Sequence, residues 1–259
     1  MKCTVIRAAA VLLSLASAGL FAGSARAEMK TQWVDYTQGG TALQGYLAYD
    51  DGVAGRRPGI LLLHRRDGMS ELTLQNAQMY ARQGYVVFAA DIFGKTVRPK
   101  IVPEQQAQSK LYSDDRPLMR ARATAGLELL RNNPMVDTSK IAIVGYCFGG
   151  EVAIELAETG APILGSVTIH GSFRGFPADA AKNIKGRVLI LHGADDPVAP
   201  MPEVVGLIDQ LRAAKVGWEL QLYSGTAHGF STPKDAAEQR ANEQSKAATA
   251  RFFRQVFGL

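Results

Sequence analysis

Runs of consecutive apolar residues, each too short for a helix and most followed by a helical pattern, recur along the chain. Gly59 to Leu63, Tyr85 to Ala90, Ile141 to Val144, Leu164 to Ile169 and Val188 to Leu191 read as strands buried on both faces. Gly45 to Tyr49 reads as a short opening strand and Glu219 to Tyr223 as the last one. Glu71 to Gln83, Pro117 to Asn132, Gly149 to Glu158 and Pro202 to Ala214 read as helices, and Asp235 to Phe257 contains the final helix. A strand with no polar face must be covered on both sides. The pattern therefore predicts an α/β fold with a mostly parallel central sheet and helices on both faces. Functional groups in such sheets collect at the carboxyl ends of the strands, where the loops open outward. Val97 to Asp115 fits either a short helix or a loop over that end.

The first 27 residues follow a different rule. Lys2 and Arg7 precede an apolar, small-residue run from Ala8 to Gly23, and Ala25-Arg26-Ala27 has the small-x-small form of a cleavage site. This is the three-part pattern of a secretory signal peptide, and the run is short for a bilayer span, which needs ~20 apolar residues. Residues 1–27 are expected to be removed, leaving 28–259 as a single exported domain, expected in a bacterial periplasm and not inserted in the membrane. Three of the 29 basic residues would leave with the leader and no acid, so most of the +5 charge belongs to it. No basic stripe interleaved with aromatics remains, which argues against a nucleic-acid partner. Cys3 would leave too, making Cys147 the only cysteine and excluding an internal disulfide.

Cys147 sits in Gly145-Tyr146-Cys147-Phe148-Gly149-Gly150, directly between a predicted strand and a predicted helix. A G-x-C-x-G turn there is a nucleophile elbow with Cys in the usual place of Ser. The glycines remove side chains where the backbone doubles back, and the helix N-terminus favours thiolate. The backbone N–H of Phe148 is placed to donate to an oxyanion. Without that frame a lone Cys would read as a small buried hydrophobe.

Two strand ends supply partners. After Val188 to Leu191 comes His192-Gly193-Ala194-Asp195-Asp196-Pro197-Val198, where the spacing from Gly193 favours Asp196 over Asp195 as the acid that orients a histidine. After Glu219 to Tyr223 comes Gly225-Thr226-Ala227-His228-Gly229-Phe230, where His228 reads as the base. His64 and His170 follow strands and read as pocket-lining or structural, and His192 as ordering its turn. No paired cysteines, H-x-x-x-H or carboxylate cluster suggests a metal.

Together these residues resemble the dienelactone hydrolase family of α/β-hydrolases, from Gln44-Gly45-Tyr46-Leu47-Ala48 through His228-Gly229-Phe230, most specifically at Gly145-Tyr146-Cys147-Phe148-Gly149-Gly150. The resemblance implies an α/β-hydrolase fold, no metal or organic cofactor, and a Cys147–Asp196–His228 triad that hydrolyses an enol-lactone through an acyl-enzyme. The backbone N–H of Arg66 would be the second oxyanion donor. Two departures stand out. The family places a Glu beside the nucleophile shortly after the strand that here ends at Leu63. This chain has His64-Arg65-Arg66-Asp67-Gly68, with Arg65 at that place, where it would favour thiolate but could not take its proton. Asp67 would substitute only if the loop bent inward. The family also clamps a substrate carboxylate with two arginines, and those places fall on Lys95, in Asp91-Ile92-Phe93-Gly94-Lys95, and on Thr232. Lys supplies charge without a bidentate fork. Arg65 or Arg66 could supply anion recognition instead, or be a solvated loop pair, and Phe93, Tyr146, Phe148 and Phe230 could form an apolar wall or simply core.

The expected reaction is cleavage of an activated ester or lactone, a small molecule, by a monomer or weak homodimer. A non-catalytic ligand-binding protein on the same fold, motivated by the missing Glu, and a redox-responsive protein using Cys147 are the competing readings.

Overall fold

A computed structural model describes residues 28–177 and 179–259; the expected signal peptide, Cys3 included, lies outside the described residues. Eight strands form one sheet: β1 (Met29–Gln38), β2 (Thr41–Asp50), β3 (Arg57–Leu63), β4 (Val86–Ala90), β5 (Val136–Tyr146), β6 (Gly165–Ile169), β7 (Arg187–Gly193) and β8 (Trp218–Tyr223). Their spatial order is β1-β2-β4-β3-β5-β6-β7-β8. β1 and β2 are antiparallel to their neighbours, and β4, β3, β5, β6, β7 and β8 run parallel. The mostly parallel sheet expected from the apolar runs is the sheet observed.

Alternate residues of each central strand feed opposite layers. Leu61 and Leu63 of β3 face α3 (Arg116–Arg131) and α4 (Phe148–Glu158), with α2 (Val102–Asp114) and α5 (Met201–Ala213) completing that side. Ile60 and Leu62 face α1 (Glu71–Ala81) and α6 (Ala236–Phe257), where Tyr80, Phe252 and Phe253 are fully buried. Burying each such side chain contributes about 1.5–3 kcal/mol of transfer free energy, and this packing holds the strand ends rigid.

Three elements extend the sequence reading. Residues 97–115 are mostly helix: Val102–Asp114 forms α2, with Asp115 capping α3 through the Leu118 N–H at 3.0 Å. α2 has no long apolar stripe because it buries one residue, Tyr112. β1 is a further strand: Val34 and Tyr36 pack half-buried against the core while Trp33, Asp35 and Thr37 are exposed, so only two apolar residues on one face mark it. β5 starts five residues earlier than Ile141, since Val136 and Asp137 pair with Arg57 and Pro58 before a register shift. No helix among the described residues is long and apolar enough to cross a membrane.

Candidate active site

The sharp turn after β5 carries the sulfur. Cys147 has φ 54° and ψ −118°, a conformation costly for any residue with a Cβ. The turn closes because its neighbours are glycines. A Cβ on Gly145 would lie 1.8 Å from the Gly149 carbonyl oxygen, and one on Gly149 would lie 2.1 Å from that of Leu63. The Cys147 N–H donates to the Ile169 carbonyl of β6, and Gly150 N–H returns to the Cys147 carbonyl. These bonds fix the sulfur at the carboxyl edge of the sheet, and α4 starts at the next residue.

His228 stands on the loop after β8. Its Nε2 lies 3.1 Å from Cys147 Sγ, and its Nδ1 lies 2.8 Å from Asp196 Oδ2. Asp196 is anchored through its other oxygen, which accepts from the N–H groups of Val198 at 2.8 Å and Ala199 at 3.0 Å. Asp195 is exposed and its backbone joins the turn. The structure thus brings Cys147, His228 and Asp196 into one hydrogen-bonded chain. Burial alone would raise the thiol; the hydrogen bond and charge of His228, the charge of Arg65 and the Phe148 N–H outweigh it and hold the thiol below its ordinary value. Burial opposes protonation of His228, but Asp196 and Cys147 together lift it to about 9. Both shifts favour thiolate beside imidazolium.

The other histidines are held structurally. His64 accepts the Ile92 N–H on Nε2 at 3.1 Å, so its Nδ1–H donates to the Arg65 carbonyl at 2.6 Å. Burial lowers its pKa. His192 Nε2 lies 2.8 Å from the Ala199 carbonyl and tethers the turn that presents Asp196. His170 is fully buried with φ 42°; its ring packs edge-on against His228 and its Nε2 meets Ser231 Oγ at 2.8 Å. One ligating atom each from Cys147, His170 and His228 lies within 4.8 Å of the other two, so among the described residues this trio could hold a thiophilic ion.

A cavity of about 580 Å³ opens onto the sulfur. Arg66, Phe148, Glu151, Ser113, Arg116, Arg174 and His228 are among its lining residues. Several expected substrate contacts lie elsewhere. Lys95 is absent from the cavity wall; its ammonium pairs with Asp35 of β1 at 2.6 Å, because its backbone N–H bonds the Ala42 carbonyl and draws it to the antiparallel edge of the sheet. Arg65 Nη1 donates to Thr232 Oγ1 at 3.2 Å, so these two form a strut beside the thiol. Phe93 is buried against His64, Tyr112 and Phe148, and Phe230 is fully buried against His170 and Tyr223. Both support the site from behind. Asp67 is absent from the cavity wall, and its Oδ2 accepts from Ser70 Oγ just before α1. The wall formed by α2 and Glu151 was missed by sequence reasoning. An acid in the first turn of the helix that follows the nucleophile was the available signal.

An eight-stranded sheet with antiparallel strands at one edge, a strained strand-to-helix turn carrying the nucleophile, and an acid and a histidine on later strand ends define an α/β-hydrolase fold. The dienelactone hydrolase family model matches residues 43–257. A dienelactone hydrolase-like promiscuous phosphotriesterase from metagenomic libraries superposes with a TM-score of 0.83 at 32% identity, covering 88% of this chain and 99% of the other. A Bradyrhizobium protein described as a probable 2-oxo-3-(5-oxofuran-2-ylidene)propanoate lactonase is 24% identical over 208 residues, 76% of this chain and 83% of that one. A carboxymethylenebutenolidase homologue of Mus musculus is 28% identical over 156 residues, 60% of this chain and 62% of its own. The chain belongs to the dienelactone hydrolase family and is a hydrolase of that type.

Proposed function

We propose that the protein is exported and cleaves an activated ester or enol-lactone through a thioester on Cys147. The observation that carries this reading is the chain Asp196–His228–Cys147, with its two contacts of 2.8 Å and 3.1 Å, opening onto a cavity. In the proposed cycle the Cys147 thiolate attacks the carbonyl carbon. The backbone N–H groups of Phe148, at the start of α4, and of Arg66, on the cavity wall, stabilise the oxyanion. His228 gives its proton to the leaving alkoxide as the thioester forms. It then takes a proton from water, whose oxygen attacks the thioester and releases the acid and the Cys147 thiolate, restoring the thiolate–imidazolium pair. Asp196 holds the imidazole in the tautomer this requires. A thiolate is a better leaving group than a simple alkoxide, so forward reaction needs an activated leaving group such as an enolate. The lactonase description of the Bradyrhizobium relative agrees with that class.

Arg65 supports the thiolate by its charge in place of the family Glu. Export rests on Lys2, Arg7, the run Ala8 to Gly23 and Ala25-Arg26-Ala27. Steady-state hydrolysis of an enol-lactone and a p-nitrophenyl ester, beside Cys147→Ala, tests the reaction. Turnover that Cys147→Ala abolishes supports it; equal negligible rates for both proteins move the ligand-binding reading ahead.

A further inference from the structure

Glu151 occupies the first turn of α4, four residues after Cys147, which caps that helix, and both residues line one cavity. It lines the same cavity and is only 8% exposed. Its Oε2 accepts the Ser113 hydroxyl of α2 at 2.9 Å. Its Oε1 takes no protein hydrogen bond among the described residues and is not sealed off. The charges around it are mostly committed. Lys110 and Asp114 of α2 pair with each other at 2.6 Å. Arg116 of α3 pairs with Glu155, and Arg174, after β6, pairs with Glu203 of α5 at 3.0 Å. Arg66, after β3, has no ion pair among the described residues, and His228 is engaged by Asp196 and Cys147.

We propose that Glu151 determines which substrates the cavity accepts beside the scissile bond. Its free oxygen receives a hydroxyl, amide or amine donor, and as a carboxylate it rejects a substrate carboxylate that Arg66 would otherwise attract. The substrate class is then an activated ester or lactone with an uncharged, hydrogen-bond-donating substituent. This assignment rests on the hydrolase reading given above. Burial raises the Glu151 carboxyl to about 7; Ser113 and the charges of Arg116 and Arg174 pull it down, while Glu203 adds to the rise. Glu151 is therefore neutral below about pH 7 and anionic above it, and rejection of anions strengthens as pH rises.

The test alkylates Cys147 in the whole protein with iodoacetate, an anion, and with iodoacetamide, its neutral counterpart. The ratio of the two rates cancels the titration of the thiol itself. Between pH 6 and 8 the iodoacetate/iodoacetamide ratio should fall about fivefold in wild type, the effect of one nearby unit charge at a high effective dielectric. In Glu151→Gln the ratio should be flat and, at pH 8, about fivefold above wild type. Ser113→Ala, which removes the hydrogen bond that favours the carboxylate, should move the midpoint to higher pH and serves if Glu151→Gln does not fold. A flat wild-type ratio, a ratio unchanged in Glu151→Gln, or a thiol resistant to both reagents overturns the assignment. Ester hydrolysis is measured on the same samples. Absent turnover with the predicted ratio defeats the hydrolase reading alone, and turnover with a flat ratio defeats the Glu151 assignment alone.

Discussion

Replacing Asp196 by Asn keeps the shape of the side chain and removes its charge. His228 rises from an ordinary 6.5 to about 9, which corresponds to about 3 kcal/mol in favour of the imidazolium at about 1.4 kcal/mol per pKa unit. Burial opposes the rise; the Asp196 hydrogen bond is the largest favourable cause, followed by the hydrogen bond and charge of Cys147 and then the charge of Asp196. Removing the Asp196 charge should forfeit roughly half, about 1–2 kcal/mol, or about a tenfold loss in the ion-pair population. The sign follows from linkage: a less basic imidazole stabilises the thiolate less, so the thiol titrates at higher pH. The assay is the rate of Cys147 alkylation by iodoacetamide from pH 5 to 9. Asp196→Asn should move the acid limb upward by about one pH unit and cut the rate near pH 6.5 by about tenfold. The two groups titrate as a pair, so the observed midpoint belongs to both. An unchanged midpoint and rate would refute the claim that Asp196 supports the thiolate through His228.

Three further outcomes follow from the same geometry. Gly149→Ala forces a Cβ to within 2.1 Å of the Leu63 carbonyl oxygen and should cost about 1–3 kcal/mol or more in urea unfolding, with loss of thiol reactivity. Arg65→Ala should raise the thiol pKa and slow alkylation at pH 7, and Arg65→Glu should do so more strongly, because the guanidinium charge now lowers it. Glu155 of α4 is fully buried between Arg116 and Arg120, so Glu155→Ala should lower stability in urea unfolding by about 3 kcal/mol.

The central sheet was legible because its strands are apolar on both faces, a pattern few other structures need. The elbow was legible for a steric reason: Gly145 and Gly149 stand where a Cβ would meet backbone carbonyls, so the turn is written in the residue types. The preference for Asp196 over Asp195 depended on turn spacing, and in the structure Asp196 is the one that meets His228. What the sequence hid has physical causes as well. α2 buries one residue and β1 none completely, so neither carries a long periodic run. Lys95 was placed by analogy with a substrate clamp, yet its partner Asp35 comes from β1, a strand marked in the sequence only by Val34 and Tyr36. The cavity wall contributed by Ser113 and Glu151 depends on how α2 lies over α4, which no local pattern encodes.

The central claim is that Cys147 forms a covalent thioester during turnover. Mixing the protein with a p-nitrophenyl ester, quenching in acid within the first turnover and measuring intact and peptide masses tests it directly. The account predicts one added acyl group on the peptide carrying Cys147, absent in Cys147→Ala and decaying at the rate of product release. Turnover that persists in Cys147→Ala, or that proceeds with no acyl group on that peptide while the ester is consumed, would contradict it.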